Sequence, residues 1–488
     1  MASEQRYLIL PKQGFYAPQV GTVIVEPNAG GTIQRLSRTH VVDEGRPLEI
    51  KVVDRIGKNG PAVAALDPQD LTWLRREARD IRVLPNRKYH RAIRPLARAS
   101  YRALSLRSGS AIQTRIFVKE RGTGRPLQDV TVIAIVDRAT NAGVRRRTGA
   151  TGQATITLPG STVIEQLFIY PPAGFWGFHA QNHDLKPGEV FELDPLEIDY
   201  RDFLKRSFPM PAPENGGGVK VGVIDTGIDL DHPDIVVSGG CNFVLGEDMN
   251  DFGPADGHGT HVAGIIAGKR TGLAPKAEIY SYRVFPYGGG PADTVAISKA
   301  IDRAIADGCD FINLSLGGGV KDDALNEAIG AAFEQGCVCI AAAGNSGRSP
   351  VGYPAWIKRS LAVSAIGHCD TFPKDSVEAG DIADPRSAND PGIFVAGFSN
   401  VGRELDFTAP GVGIISTWID KGYAVESGTS MACPAVTGAG AALLSRDPGL
   451  LKAVRNSRRA LGIKELLERS AQSMGLPQSF EGLGQPTI

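Results

Sequence analysis

Three short segments carry side chains that together could move a proton and make a covalent bond. Val223-Ile-Asp-Thr-Gly227 puts the carboxylate of Asp225 at the end of an apolar run. Gly257-His-Gly-Thr-His-Val-Ala-Gly264 sets His258 at the start of a small-residue run, and Gly428-Thr-Ser-Met-Ala-Cys-Pro434 sets Ser430 in the first turn of a run ending at Leu444. A serine hydroxyl becomes a nucleophile when an imidazole takes its proton and a buried carboxylate steadies the imidazolium. A helix N-terminus beside that serine offers unpaired N–H groups to a developing oxyanion. Ala341-Ala-Ala-Gly-Asn345 ends another apolar run with a neutral amide, so Asn345 could supply a further donor without acting as a base.

These residues need a frame that brings distant segments together. Val219–Ile224, Ala277–Val284, Phe311–Leu316, Val338–Ala343 and Leu361–Ile366 read as buried strands, with helical runs at His258–Ala267, Asp293–Asp307 and Asp322–Gln335 between them. That alternation predicts an α/β domain with a parallel sheet wrapped by helices, whose ligands collect at the carboxyl ends of the strands. The three segments fall at such ends.

Each residue also has a plainer reading. Asp-Thr-Gly is common in turns, and Asn345 could merely end a strand. His258 and His261, three apart, could share a metal, but a catalytic zinc needs three protein ligands, and no third is near in sequence. No metal site is therefore expected, and His261 reads as a packed neighbour. Ser315 to Gly319 could be a flexible loop, although its place after an apolar strand favours a cleft.

Taken together and in order, V-I-D-T-G, G-H-G-T-H-V-A-G, A-A-A-G-N and G-T-S-M-A-C-P resemble the subtilisin-like serine protease family, over roughly Val219 to Leu444. The resemblance implies a serine endopeptidase with Asp225, His258 and Ser430 as triad, Asn345 in the oxyanion hole, and polypeptides as substrates. It implies that Ser315-Leu316-Gly317-Gly318 lines the substrate cleft. Gly352, in Gly352-Tyr-Pro-Ala355, then forms the far wall of a specificity pocket open to large apolar side chains. Gly288 and Gly289, in Tyr287-Gly-Gly-Gly290, correspond to an edge strand that extended substrates join by backbone pairing. No cofactor is implied. Asp234 stands where many relatives bind calcium, but the stretch from Gly268 through Leu273 is short and lacks the loop that completes that site, so calcium is only an open alternative.

Ahead of this region the pattern changes. Residues 1–100 read as a small α+β domain, with a strand at Leu48–Val53, an Asp67-Pro68 helix start, Leu71, Leu74 and Ala78 at helical spacing, and a strand at Ile81–Leu84. Its A-A-L-D-P-Q-D-L-T-W-L and I-R-V-L-P-N stretches resemble part of the family's inhibitory propeptide, which makes the chain's own N-terminal domain a candidate inhibitor. Residues 105–198 alternate as an all-β sandwich, 199–215 read as a linker around Phe208–Gly218, and 216–488 as the peptidase domain. Asp370–Ile393 reads as an added polar surface loop.

The 488 residues carry 53 basic and 53 acidic side chains, so no net field draws the chain to nucleic acid or to an anionic membrane. Tyr7–Leu10 is too short for a signal-peptide core and no run approaches a membrane span. The six cysteines, mostly beside apolar segments, read as reduced buried thiols, and a cytoplasmic location is expected.

Overall fold

The computed structural model describes residues 6–11, 51–56, 61–77, 81–94, 111–159, 163–209 and 211–488. The apolar runs of the C-terminal part form one mixed, mostly parallel sheet. Its strands run Val237–Asn242, Glu278–Arg283, Lys220–Asp225, Phe311–Leu314, Val338–Ala342, Ser360–His368 and Ile393–Val395 in spatial order. Phe407–Pro410 adds in parallel to Ser360–His368, and only Ile393–Val395 pairs antiparallel. A sheet buried on both faces needs apolar residues at successive positions, which is why these strands are runs and not alternations. Helices His258–Ala267, Thr429–Ser445 and Ser457–Ser470 share one core with Val221, Val223 and Ile340. Helices Thr294–Ala306 and Asp323–Glu334 share the other with Ile224, Ile312 and Ala341. Among the described residues no helix is long and apolar enough to cross a membrane.

Residues 111–159 and 163–193 form two sheets around a common core. One is ordered Phe178–His183, Ile164–Tyr170, Thr131–Asp137, Ala142–Arg147, the other Glu189–Leu193, Ala111–Glu120, Gln153–Pro159. Ile116, Ile156 and Phe191 from one sheet meet Val132, Val144 and Leu167 from the other. Gln153–Pro159 alternates half-buried and buried positions as a one-sided strand should.

The first 100 residues hold a four-stranded antiparallel sheet ordered Lys51–Arg55, Ala62–Ala65, Arg6–Pro11, Ile81–Pro85. The helix Pro68–Glu77 starts at Asp67, whose carboxylate accepts the Gln69 N–H, and Leu74 packs on Tyr7, Ala64 and Val83. The strands Arg6–Pro11 and Ala62–Ala65 are not among the elements expected from the sequence, since their short apolar runs fit helix or strand equally. Residues 48–50 and Ala78 lie outside the described residues. The sheet turns Leu8, Leu10 and Val63 toward the helices Thr294–Ala306 and Asp323–Glu334, joining the core that holds Ile297 and Leu325. Arg82 pairs with Glu327 and Lys299 with Asp54 across the same contact.

Two expectations need correction. The linker 199–215 contains the helix Phe203–Ser207, capped by Asp202, and Phe203, Leu204 and Phe208 are buried in the core of the C-terminal domain. Three apolar side chains at positions 203, 204 and 208 form a helical face, so the segment packs where its proline-rich continuation had suggested a free tether. The polar stretch Asp370–Ile393 is likewise no loose loop. It carries the short helical turn Val377–Asp381, whose Val377, Glu378 and Asp381 are buried, and Asp375 accepts a hydrogen bond from His179 of the two-sheet unit at 2.7 Å.

Candidate active site

Asp225 ends the central strand Lys220–Asp225 and is fully buried. Its Oδ1 lies 2.7 Å from Nδ1 of His258 and 2.7 Å from the Thr226 amide nitrogen. His258 is the first residue of its helix, and Asp256 Oδ1 accepts its backbone N–H at 2.9 Å. A proton shared between Nδ1 and the Asp225 carboxylate leaves Nε2 as the basic nitrogen. That atom is buried and has no hydrogen-bond partner. His261, one turn on, donates from Nε2 to the carbonyls of Ile414 and Ala424. Burial, with His258 beside it, pushes its pKa down to about 3, so it stays neutral and positions the helix.

Ser430 sits in the first turn of Thr429–Ser445 and is fully buried. Its hydroxyl donates to the Ser315 carbonyl at 2.9 Å, while Ser315 Oγ donates to the Ser430 carbonyl at 2.9 Å. The two segments are thereby locked face to face. The structure thus makes the His258–Asp225 link, whereas the Ser430 hydroxyl is held by Ser315 and not by the imidazole. Asn345 accepts the N–H and the hydroxyl of Thr429 on its Oδ1, at 3.0 and 2.9 Å, which orients the amide and leaves Nδ2 buried without a partner. A donor held in place and unspent is what an oxyanion hole requires.

The cleft is occupied by the chain itself. The strand Lys88–Arg91 runs antiparallel between Ala292–Asp293 and Leu316–Gly317, pairing Tyr89 with Ala292, His90 with Gly317 and Arg91 with Leu316. Beyond it, the Ala92 N–H donates to the Ser315 carbonyl at 3.1 Å and the Arg94 N–H to the Ser427 carbonyl at 2.8 Å. Between them, the Ala92 carbonyl accepts the Ser430 N–H at 3.0 Å. A Cβ on Gly428 would stand 2.6 Å from that carbonyl oxygen, so glycine is what lets the strand come this close.

The sequence-named wall residues fall around this strand with one displacement. Gly317, Gly318 and Gly352 line a cavity of about 860 Å³ together with Asn345 and Ala92. A Cβ on Gly352 would come within 3.1 Å of the Gly318 carbonyl oxygen, so glycine keeps the wall thin. Gly288 and Gly289, by contrast, lie in a turn with φ of 75° and 85°, and the strand that pairs with the occupant is Ala292–Asp293, just downstream. Three glycines in a row favour a positive-φ turn over an extended edge. Asp234 accepts the Tyr423 hydroxyl at 2.8 Å and belongs to no cluster of metal-ligating groups among the described residues. Two participants escaped the sequence reading. Asp256, two residues before His258, has the spacing at which an aspartate side chain accepts the backbone N–H two residues on, and could have been found. Arg94 carried no local signal.

Comparison with known proteins accords with this geometry. The Subtilase family signature (Peptidase_S8) matches residues 216–485. Over 244 residues the chain is 40% identical to Subtilisin DY of Bacillus licheniformis, covering 48% of this chain and 80% of that protein. Over 242 residues it is 40% identical to Subtilisin of Bacillus pumilus, covering 48% and 79% respectively. Over 265 residues it is 36% identical to Subtilisin Savinase of Lederbergia lenta, covering 53% and 86%. The matched stretch contains Asp225, His258, Asn345 and Ser430, and the chain belongs to the subtilase family and is a subtilisin-like serine endopeptidase.

Proposed function

We propose that Ser430 is the nucleophile of an Asp225–His258–Ser430 triad and that the N-terminal domain keeps the enzyme latent by lying in its cleft. Ser430 Oγ attacks a peptide carbonyl carbon while His258 Nε2 takes its proton. The same imidazole returns the proton to the leaving amine, and water releases the acyl group by the reverse route. Asp225 holds the ring and balances its charge. The Ser430 N–H and Asn345 Nδ2 receive the oxyanion. Before attack, the hydroxyl must leave the Ser315 carbonyl for Nε2.

The observation that carries this reading is the 3.0 Å hydrogen bond from the Ser430 amide to the Ala92 carbonyl. It presents the Ala92–Ile93 bond to the nucleophile, with the preceding strand held on both sides as an extended substrate would be. In this reading residues 1–100 are a propeptide-like domain, 105–198 a β-sandwich domain, 199–215 the connecting segment and 216–488 the peptidase domain. Polypeptides are the substrates. A cytoplasmic location is part of the same proposal, supported by Cys241, Cys309, Cys337, Cys339 and Cys433 lying buried as free thiols. Incubating the full chain and determining the new chain ends by mass spectrometry tests the reading. It expects a fragment starting at Ile93 that the Ser430→Ala variant does not give. A first cut elsewhere, or the same cut in that variant, overturns it.

A further inference from the structure

Past the Ala92 carbonyl the chain makes a second, unexplained investment. The Arg94 guanidinium is turned into the peptidase domain, and its side chain is only 13% exposed. There Nη1 donates to Asp381 Oδ2 at 2.6 Å and to the Val377 carbonyl at 3.1 Å, and Nη2 lies 3.8 Å from Glu378 Oε1. The Tyr170 ring of the two-sheet unit is 5.9 Å from the guanidinium carbon. Glu426, half-buried, lines the same cavity of about 480 Å³. Glu378 Oε2 is buried with no hydrogen-bond partner. The other cations of that cavity, Arg145 and Arg147, are exposed on the two-sheet unit.

Two carboxylates, Asp381 and Glu378, therefore meet one guanidinium, with Glu426 on the wall of the same cavity, and that guanidinium belongs to the segment lying in the cleft. Glu378 and Asp381 come from the stretch 370–393, which reads from the sequence as an addition to the domain. Burial pushes the Asp381 carboxyl up to about 6 and Glu426 up to about 7 even against the pull of Arg94, so taking that cation away makes the ionised form of each costlier still. When the segment leaves, buried carboxylates lose their counter-charge. A substrate with a neutral side chain at this place leaves them unpaired, while a guanidinium restores the pairing. Its planar fork can reach Asp381, the Val377 carbonyl and Glu378 at once, which a lysine ammonium does less well.

We propose that Glu378 and Asp381, with Glu426 on the facing wall, form a subsite that selects polypeptide substrates carrying a basic residue, arginine before lysine, two positions beyond the scissile bond. The proposal rests on the reading of Ala92–Ile93 as the bond presented to Ser430. It assigns the added stretch 370–393 a part in specificity on the leaving-group side.

The test follows two substrates cut by the full-length chain. One is its own segment, with Arg94 kept or replaced in Arg94→Lys and Arg94→Met. The other is an added peptide copying residues 87–94 with a short tail, carrying Arg, Lys or Met at the last copied position. The Arg forms are expected to be cut at least roughly 30-fold faster than the Met forms, as befits a buried charge deprived of its partner, with Lys between. In Glu378→Gln/Asp381→Asn the Arg advantage falls to within about threefold while the Met peptide is still cut. The wild-type comparison alone decides the matter should that variant fail to fold. Equal rates for Arg and Met overturn the subsite and leave the proteolytic reading standing. A chain that is labelled at Ser430 by a fluorophosphonate yet cuts neither substrate overturns the subsite and the reading of Ala92–Ile93 as the presented bond while leaving Ser430 as the nucleophile, whereas absence of both cutting and labelling overturns all of them together.

Discussion

The backbone N–H of Ser430 points at the carbonyl oxygen of Ala92 from 3.0 Å, although 337 residues separate them in the chain. Nothing in the structure holds that oxygen there by accident. The Ala92 N–H is bonded to Ser315, and Arg94 is anchored by both its backbone and its side chain. A carbonyl fixed on both sides against a helix N-terminus is what the proposed mechanism needs of a substrate about to be polarised.

Asn345→Ala removes the unpartnered Nδ2 donor and also the acceptor that holds Thr429. We expect kcat to fall about 10²–10³-fold with KM little changed, because the lost bond forms only with the oxyanion. Steady-state kinetics on a chromogenic peptide decide this. A loss confined to KM would move Asn345 from the oxyanion hole to the substrate wall.

Tyr89 is the anchor of the cleft-filling strand, 1% exposed, with its hydroxyl 2.9 Å from Asp322 Oδ2. Replacing a large buried aromatic with alanine costs about 3–5 kcal/mol. Tyr89→Ala in the full chain should therefore loosen the occupant and raise the initial rate on an added peptide by at least about tenfold. An unchanged rate would show that the N-terminal domain does not restrain the enzyme.

Asp381 gives a pH signature. Its folded pKa is raised to about 6 by burial, against which Arg94 pulls only partly. Between about pH 4 and 6 the unfolded chain has lost this proton while the folded chain keeps it, so stability from this group is present at low pH and is lost as pH rises through 6. The rise from the ordinary carboxylate value to about 6 corresponds to about 3 kcal/mol as an order of magnitude. In a Ser430→Ala background, Asp381→Asn should flatten the fall in Tm between pH 4 and 7. Parallel curves would contradict this.

The sequence was most readable where one segment does one job. Asp225, His258 and Ser430 each sit at a strand end or helix start that the letters around them specify, and the parallel sheet follows from runs such as Phe311–Leu314. Legibility failed where a residue's meaning comes from a distant partner. Phe203 and Phe208 look like part of a tether until the peptidase core receives them. Arg94 reads as one of many surface arginines until Asp381, 287 residues later, comes to meet it. The strand Arg6–Pro11 is held by pairing with Ala62–Ala65 and Ile81–Pro85, and its local mark, the short apolar run Tyr7–Leu10, does not by itself say that it is a strand. Gly288 and Gly289 show the opposite failure: a glycine run was read as an edge strand, and its freedom at positive φ made it a turn.

The most direct trial of the whole account is to treat the purified chain with a fluorophosphonate and locate the adduct by mass spectrometry. The account predicts a single adduct on Ser430, abolished in His258→Ala and absent in Ser430→Ala, with hydrolysis of an added peptide falling about 10⁶-fold in the latter. An adduct on another residue, or labelling and hydrolysis that survive Ser430→Ala, would contradict it.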